Sequence, residues 1–309
     1  MSDKQQQAEA ASSAAPRAAT RLKFQEISPH FEVTFWYALE HEKLHKWKLE
    51  EPTAPIRIYI PSGARGSNQL SQVATLCDDG FREPCVPHAN CHTIPASLIN
   101  FNTIQQLTEL DKKIALQQAA ATNDIVSTIR SGSWDTESLL RGAVFTFADL
   151  KSHEFHYCMG FPAIDLGSPV TLASRADAGN AFKSSEALAA ASSHMFGEGA
   201  ADGIPFLVDP ATGSTRPFNA SGLSSMTEPL VAFYDTSRLP DFPCWGLRNI
   251  IAAIRLTFPE RTGATRVVLL VVQRGGVHQC DEHLLLSWNR SGRHLLCGER
   301  ARCHHQLRL

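Results

Sequence analysis

The pattern of apolar and polar positions changes at Leu22. Before it, Met1 to Thr20 is rich in Ala, Ser and Gln, with no aromatic residue and no apolar period, which predicts a flexible tail over residues 1–20. Beyond it, Trp36, Leu39, Leu44 and Trp47 recur at helical spacing. They predict a helix with all four on one face, closing at Glu51-Pro52 because proline disfavours helical backbone in the residue before it. Arg57 to Ile60 reads as a short strand and Pro61 to Ser67 as a Gly/Ser loop. Thr103 and Gln106 have the spacing of a capping box, in which each side chain satisfies an orphan backbone donor. Leu107, Leu110, Ile114, Ala121, Ile125 and Ile129 then follow three, four or seven apart. They predict one long helix that ends at Arg130 and Gly132.

Ala143 to Phe147 and Glu154 to Met159 read as strands. In the second, Phe155, Tyr157 and Met159 alternate with His156 and Cys158, which places the three large side chains on one face. A helix is expected over Ser184 to Phe196. Strands are expected at Pro205 to Val208 and Leu230 to Tyr234, with the turn-rich Asp209 to Gly213 between them. Trp245 to Phe258 carries Leu247, Ile250, Ile251 and Ile254 on one helical face, and Val267 to Val272 is a continuous apolar run suited to a strand buried on both sides. Helices and strands mixed in this way predict an α/β or α+β fold, a mixed sheet packed with helices. There is no internal repeat.

Composition narrows the function classes. The 309 residues are 43% apolar and 19% charged, as in a soluble globular protein. A net charge of -2 gives no whole-chain reason to expect nucleic acid or an anionic membrane as partner. The six-residue run at Val267 is far short of the roughly 20 needed to span a bilayer. The first 20 residues have no apolar signal-peptide core, and Asp3 and Glu9 disfavour a transit peptide. Eight cysteines without framework spacing suit reduced thiols, hence a cytoplasmic location.

Several constellations carry potential chemistry. Asp149 and Lys151 bracket Leu150 at an expected strand end, either as recognition charges or as a surface pair. Arg248, in an apolar helix face, either pairs with an acid such as Asp235 or reaches a partner; the internal pair is the simpler reading. Cys158 lies near His153 and His156, and thiolate catalysis needs such a base, but neighbours on one strand project in parallel and ordinary packing explains them better. After Gln273, Cys280, His283, Cys297 and Cys303 or His304 supply ligand types for zinc, although the second pair is widely spaced. Arginines 274, 290, 293, 300, 302 and 308 in this stretch lack interleaved aromatics, so residues 273–309 read as a weakly ordered tail. Gly197 to Asp202 lacks the third glycine of a nucleotide loop and follows a helical segment, so it is set aside.

Four ordered blocks carry a family resemblance. They are Leu22-Lys-Phe24 with Phe35-Trp36 and Lys43-Leu44; Asn102-Thr103 with Asp111-Lys-Lys113 and Ser131-Gly132; Phe145-Thr-Phe-Ala-Asp-Leu-Lys151 continuing to Phe161-Pro-Ala163; and Tyr234-Asp235 with Pro243-Cys-Trp-Gly-Leu-Arg-Asn249. Together they resemble the N-terminal domain of the autophagy-related ubiquitin-like modifier-activating enzymes, over residues 21–272. In that family the C-terminal half binds ATP, adenylates the modifier, holds it as a thioester and mediates dimerisation, while the N-terminal half docks the conjugating enzymes. The resemblance therefore implies a docking domain with conjugating enzymes as partners, ubiquitin-like modifiers engaged only through the other half, and no ATP site or catalytic cysteine in this chain. Asp149, Lys151 and Arg248 become candidate partner contacts. The rival reading is a thiol- or zinc-dependent enzyme using Cys158 or the Cys/His-rich tail.

Overall fold

The computed structural model describes residues 20–21, 23–50, 53–61, 72–88, 91–122, 125–165, 170–176, 178–196, 205–233, 237, 242–258, 266–268, 283–288, 296–298 and 301–308. The first half of the chain runs β1 (Thr20–Arg21), β2 (Ile27–Phe31), α1 (Val33–Glu42), a π-helical turn (Lys43–Trp47), β3 (Thr53–Pro61), β4 (Gln72–Leu76), a 3-10 turn (Asp78–Phe81) and β5 (Cys91–Phe101). Three short helices, α2 (Ile104–Thr108), α3 (Lys112–Thr122) and α4 (Ile125–Ser131), lead through α5 (Thr136–Leu139) to the hairpin of β6 (Gly142–Asp149) and β7 (Glu154–Gly160). Then come β8 (Ala163–Asp165), β9 (Val170–Ala176), α6 (Ser185–Phe196), β10 (Phe206–Val208), β11 (Thr215–Pro217), α7 (Ala220–Ser224), β12 (Leu230–Ala232), α8 (Gly246–Thr257) and β13 (Arg266–Val268). The described tail strands are β14 (His283–Trp288), β15 (Leu296–Gly298) and β16 (Ala301–Arg308).

A seven-stranded sheet in the order β16-β7-β6-β5-β3-β4-β2 dominates. It is mixed: β5 pairs antiparallel with β3 and parallel with β6, and β2 pairs parallel with β4. Period-two alternation divides its side chains between two cores. Val144, Phe155 and Met159 join Ile56, Ile58 and Ile60 under α1, while Ala143, Phe145 and Cys158 face the opposite side, under Leu107 and Leu116 of the short helices. On the α1 side Trp36 lies between aromatic rings, 5.1 Å from Phe31 and 4.7 Å from Phe155, and is fully buried. A second sheet, β11-β10-β12-β13, packs with α8 around a third core. Every residue of α8 from Asn249 to Arg255 is buried.

The mixed fold, the strands at β3, β6, β7, β10 and β12, and the helices at α6 and α8 agree with the sequence pattern. Three expectations need correction. First, the long helix is interrupted. The Thr103–Gln106 capping box forms as expected, but α2 stops at Thr108 and the Asp111 carboxylate caps a new helix, accepting the N–H groups of Lys113 at 2.9 Å and Ile114 at 3.0 Å. A carboxylate that can bond the backbone locally competes with helix continuation. Second, the restart changes the helical phase, so Ile114 is 50% exposed and Ala115, Leu116 and Ala119 take the inward positions.

Third, Leu44 does not share the buried face of Trp36 and Leu39. Five residues of α-helix place it about 140° around the axis from Leu39. The helix also widens into the π turn there, with Lys48 N–H bonding to Lys43 C=O at 2.7 Å, and Leu44 is 53% exposed. The Pro61 to Ser67 loop falls, after Pro61, outside the described residues, as does Val267 to Val272 after Val268. Gly132 takes the left-handed conformation that ends α4, at φ 70°.

Candidate docking surface

Asp149 and Lys151 lie at the tight connection from β6 to β7. The Asp149 carboxylate folds back onto the turn, accepting the N–H groups of Lys151 at 2.9 Å and Ser152 at 3.3 Å. Those donors hold its carboxyl below the ordinary aspartate range. The turn's geometry thus accounts for the Asp-Leu-Lys sequence, and it leaves the Lys151 side chain exposed to solvent. Leu150 between them turns inward against the α1-side core.

Arg248 is half-buried near the start of α8, where its Nε donates to the carbonyl of Ile164 at 3.3 Å. Asp235, its expected partner, lies outside the described residues. Trp245 stacks on Phe161 with centroids 4.3 Å apart and planes 17° apart. Asn249 is wholly buried and hydrogen-bonds three backbone groups. The Trp-Gly-Leu-Arg-Asn block therefore joins α8 to the segment between β7 and β8. Gly246 belongs there because a Cβ would meet Leu140 Cδ2 at 2.8 Å.

The sequence pattern did not reveal an exposed apolar set on α1 and the segment that follows it. Val33 is 44%, Tyr37 62%, Leu44 53% and Leu49 86% exposed, and these are large apolar side chains within seventeen residues of chain. Val33 and Tyr37 are four apart and so adjacent on the helix face. The inward residues of the same helix fix its orientation: Trp36 stacks on Phe155, one residue beyond the start of β7, so the helix and the Asp149–Lys151 turn flank the same strand. Large apolar side chains left exposed on one stretch of chain, interleaved with charged positions, suit a protein contact surface. The signal was available, because Tyr37 and Leu49 interrupt the buried period, but apolar residues at helical spacing read first as core. By contrast, the groove of about 450 Å³ at Lys183, Asp209, Arg216 and Glu228 is polar, and Lys183 and Glu228 within it pair with each other at 3.2 Å.

Of the residues of the rival reading, Cys158 and Cys303 stand opposite each other across β7 and β16. Cys158 is fully buried in the core beneath the short helices. His153 occupies the turn with φ 53°, and His156 lies beside Phe147, 6.0 Å between centroids. Cys280 lies outside the described residues, and the backbones of His283, Cys297 and Cys303 belong to β14, β15 and β16, strands of three separate sheets. Gly197 to Asp202 also lies outside the described residues. Among the described residues no helix is long and apolar enough to cross a membrane.

A helix-flanked mixed sheet, tied through the buried Asn249 of α8 to a segment shared with a smaller sheet, defines a mixed α/β domain. Residues 22–292 match the family model of the ubiquitin-like modifier-activating enzyme ATG7 N-terminus, and the chain belongs to that family. The human ATG7 modifier-activating enzyme is 27% identical over 243 residues, covering 75% of this chain and 34% of that protein. The Cryptococcus neoformans enzyme is 28% identical over 284 residues, covering 86% of this chain and 40% of its own length. The chain thus spans little more than a third of the length of these relatives. The crystal structure of Kluyveromyces marxianus Atg7NTD superposes with a TM-score of 0.65 at 17% identity, covering 93% of this chain and 96% of that one. The same domain in the Kluyveromyces marxianus Atg7NTD-Atg10 complex gives 0.65 at 16% identity, covering 94% and 98%.

Proposed function

We propose that this chain is a docking module that holds conjugating enzymes of a ubiquitin-like modifier pathway, in the cytoplasm, beside the machinery that charges the modifier. The observation that carries this reading is the exposed apolar set of Val33, Tyr37, Leu44 and Leu49 on a domain whose structural relative was solved with Atg10 bound. Folding leaves these side chains in water, and a partner surface is what would remove them from it. The Asp149–Lys151 turn and Arg248 are proposed as flanking polar contacts. The benefit of such docking is proximity: an acceptor tethered next to a reactive thioester meets it at high effective concentration and in a fixed orientation. In this reading adenylation, with its ATP, and thioester formation belong to the portion of the family's enzymes beyond the matched region. The chain alone performs neither.

Titration of the purified chain with the cognate Atg10-type conjugating enzyme tests the proposal. A saturable one-to-one complex, lost in the Tyr37→Asp/Leu44→Asp variant, is the expected result. A folded chain that gives no complex with its conjugating enzymes would overturn it.

A further inference from the structure

We propose that Cys77, Asp79 and His88 form a zinc-binding site on the seven-stranded sheet. One ligating atom from each, the Cys77 sulfur, an Asp79 carboxylate oxygen and a His88 ring nitrogen, lies within 4.8 Å of the other two. Four-coordinate zinc with Zn–S of about 2.3 Å and Zn–N or Zn–O of about 2.0–2.2 Å sets neighbouring ligand atoms roughly 3.4–3.6 Å apart. The three atoms bracket that spacing, since His88 Nε2 and Asp79 Oδ2 are 2.9 Å apart and must separate slightly while the sulfur draws in. A thiolate, an imidazole and a carboxylate are the ligand set that zinc accepts and that magnesium or calcium does not. Water fills the fourth position, from the side where Asp79 and His88 are partly open to solvent.

The surroundings of each ligand fit this role. Cys77 is 3% exposed at the end of β4, where burial pushes its thiol up and the nearby backbone N–H groups of Asp79 and Gly80 offset only part of that. Metal takes the thiolate, so an ion entering here would displace the Cys77 proton and supply the charge that a buried thiolate otherwise lacks. Gly80 allows this turn to lie against β3, since a Cβ there would come within 2.6 Å of the Arg57 carbonyl oxygen. Asp79 is oriented by Arg82, whose Nη1 lies 3.1 Å from Oδ1, leaving Oδ2 toward the site. His88 is held flat on the Tyr59 ring, 3.9 Å between centroids and 9° between planes, and Tyr59 itself is anchored through its hydroxyl to the Val86 carbonyl at 3.0 Å. Such outer contacts orient metal ligands in the way that established sites require.

An ion here would fasten the 3-10 turn to the Pro84–His88 loop. That turn meets the start of α1 through Asp78 N–H on Thr34 Oγ1 at 3.4 Å and through the Phe81 and Phe35 rings at 5.1 Å. The site therefore supports the helix that carries the exposed Val33 and Tyr37, and it stands whether or not these residues dock a partner.

The test uses the whole chain, stripped with chelator and titrated with zinc by calorimetry and with cobalt by absorption. One equivalent should bind, with a thiolate-to-cobalt charge-transfer band and the intense visible bands of tetrahedral cobalt. Asp79→Asn and His88→Gln, both at partly exposed positions, should weaken binding by at least the roughly 10–100-fold that loss of an outer-shell contact costs. Cys77→Ser should abolish the charge-transfer band. A Cys297→Ser/Cys303→Ser variant should retain it, which separates this site from the tail cysteines. Zinc should also raise the Tm of wild type but not of His88→Gln. Equal binding by wild type, Asp79→Asn and His88→Gln, or a band that disappears only with the tail cysteines, would overturn the proposal.

Discussion

Asn249 Oδ1 accepts the backbone N–H of Ile164 at 3.0 Å, across 85 residues of sequence. Its amide nitrogen donates to the carbonyls of Leu139 at 2.9 Å and Pro162 at 2.8 Å, so one side chain at 0% exposure satisfies three backbone groups on two chain segments. Replacing it by Ala leaves those backbone groups buried without partners, at about 1–3 kcal/mol for each that water cannot reach. Asn249→Ala should therefore lower stability by about 3 kcal/mol in urea unfolding. A loss under about 1 kcal/mol would mean that water enters and replaces the amide.

Tyr37 tests the outward face of α1. Tyr37→Asp changes a side chain that is 62% exposed, so unfolding stability should stay within about 0.5 kcal/mol of wild type. Affinity for the conjugating enzyme should fall at least tenfold, about 1.4 kcal/mol. Unchanged affinity in both Tyr37→Asp and Leu49→Asp would move the contact surface off α1 and the segment that follows it.

Asp149 supplies a pH dependence. Its folded carboxyl titrates below the usual aspartate value because the N–H groups of Lys151 and Ser152 favour the charged form. A lowered folded value means that its contribution is present above the unfolded aspartate pKa and is lost as pH falls through the folded one. Carboxyl NMR should give a midpoint below 3.8, and Asp149→Asn should flatten the acid limb of the stability curve. A midpoint at or above 3.8 would indicate that the turn opens in solution.

Gly213 holds the turn between β10 and β11 at φ 72°, and a Cβ there would lie 2.1 Å from the Ala187 carbonyl oxygen. Gly213→Ala combines left-handed strain with a backbone clash that no rotamer relieves, and should cost about 3 kcal/mol. Thermal unfolding checks this, and a near-neutral variant would show that α6 can slide away from the turn.

Cys158 should resist thiol reagents in the native state, because it is fully buried under α3. Mass spectrometry after brief maleimide treatment should find the half-buried Cys85 modified before Cys158. Rapid native labelling of Cys158 would revive the thiol-enzyme reading, as would ATP–pyrophosphate exchange by the chain alone for a nucleotide enzyme.

Local periodicity carried the sequence reading a long way. Phe155, Tyr157 and Met159 do alternate with Cys158 across β7, and Leu247 through Ile254 do form the buried side of α8, because both patterns are direct consequences of side-chain geometry. The long helix failed at Asp111, where one carboxylate outcompeted an apolar repeat that continued past it. Leu44 failed because five residues of α-helix already carry it off the face of Leu39, and the π turn, which residue types do not announce, begins there as well. The cluster of Cys77, Asp79 and His88 was illegible for a different reason: its members are brought together by a turn and by the Tyr59 ring from the neighbouring strand, a tertiary fact with no spacing rule.

The aromatic seat of Trp36 has a kinetic consequence. A helix pinned by an indole between two other rings has few alternative poses left, so an arriving protein meets a surface whose conformational freedom is already lost. Partners of this face should then differ mainly in how long they stay, with encounter rates nearly alike. Trimming Trp36 to a smaller residue would slow recognition itself, because the face would first have to find its shape.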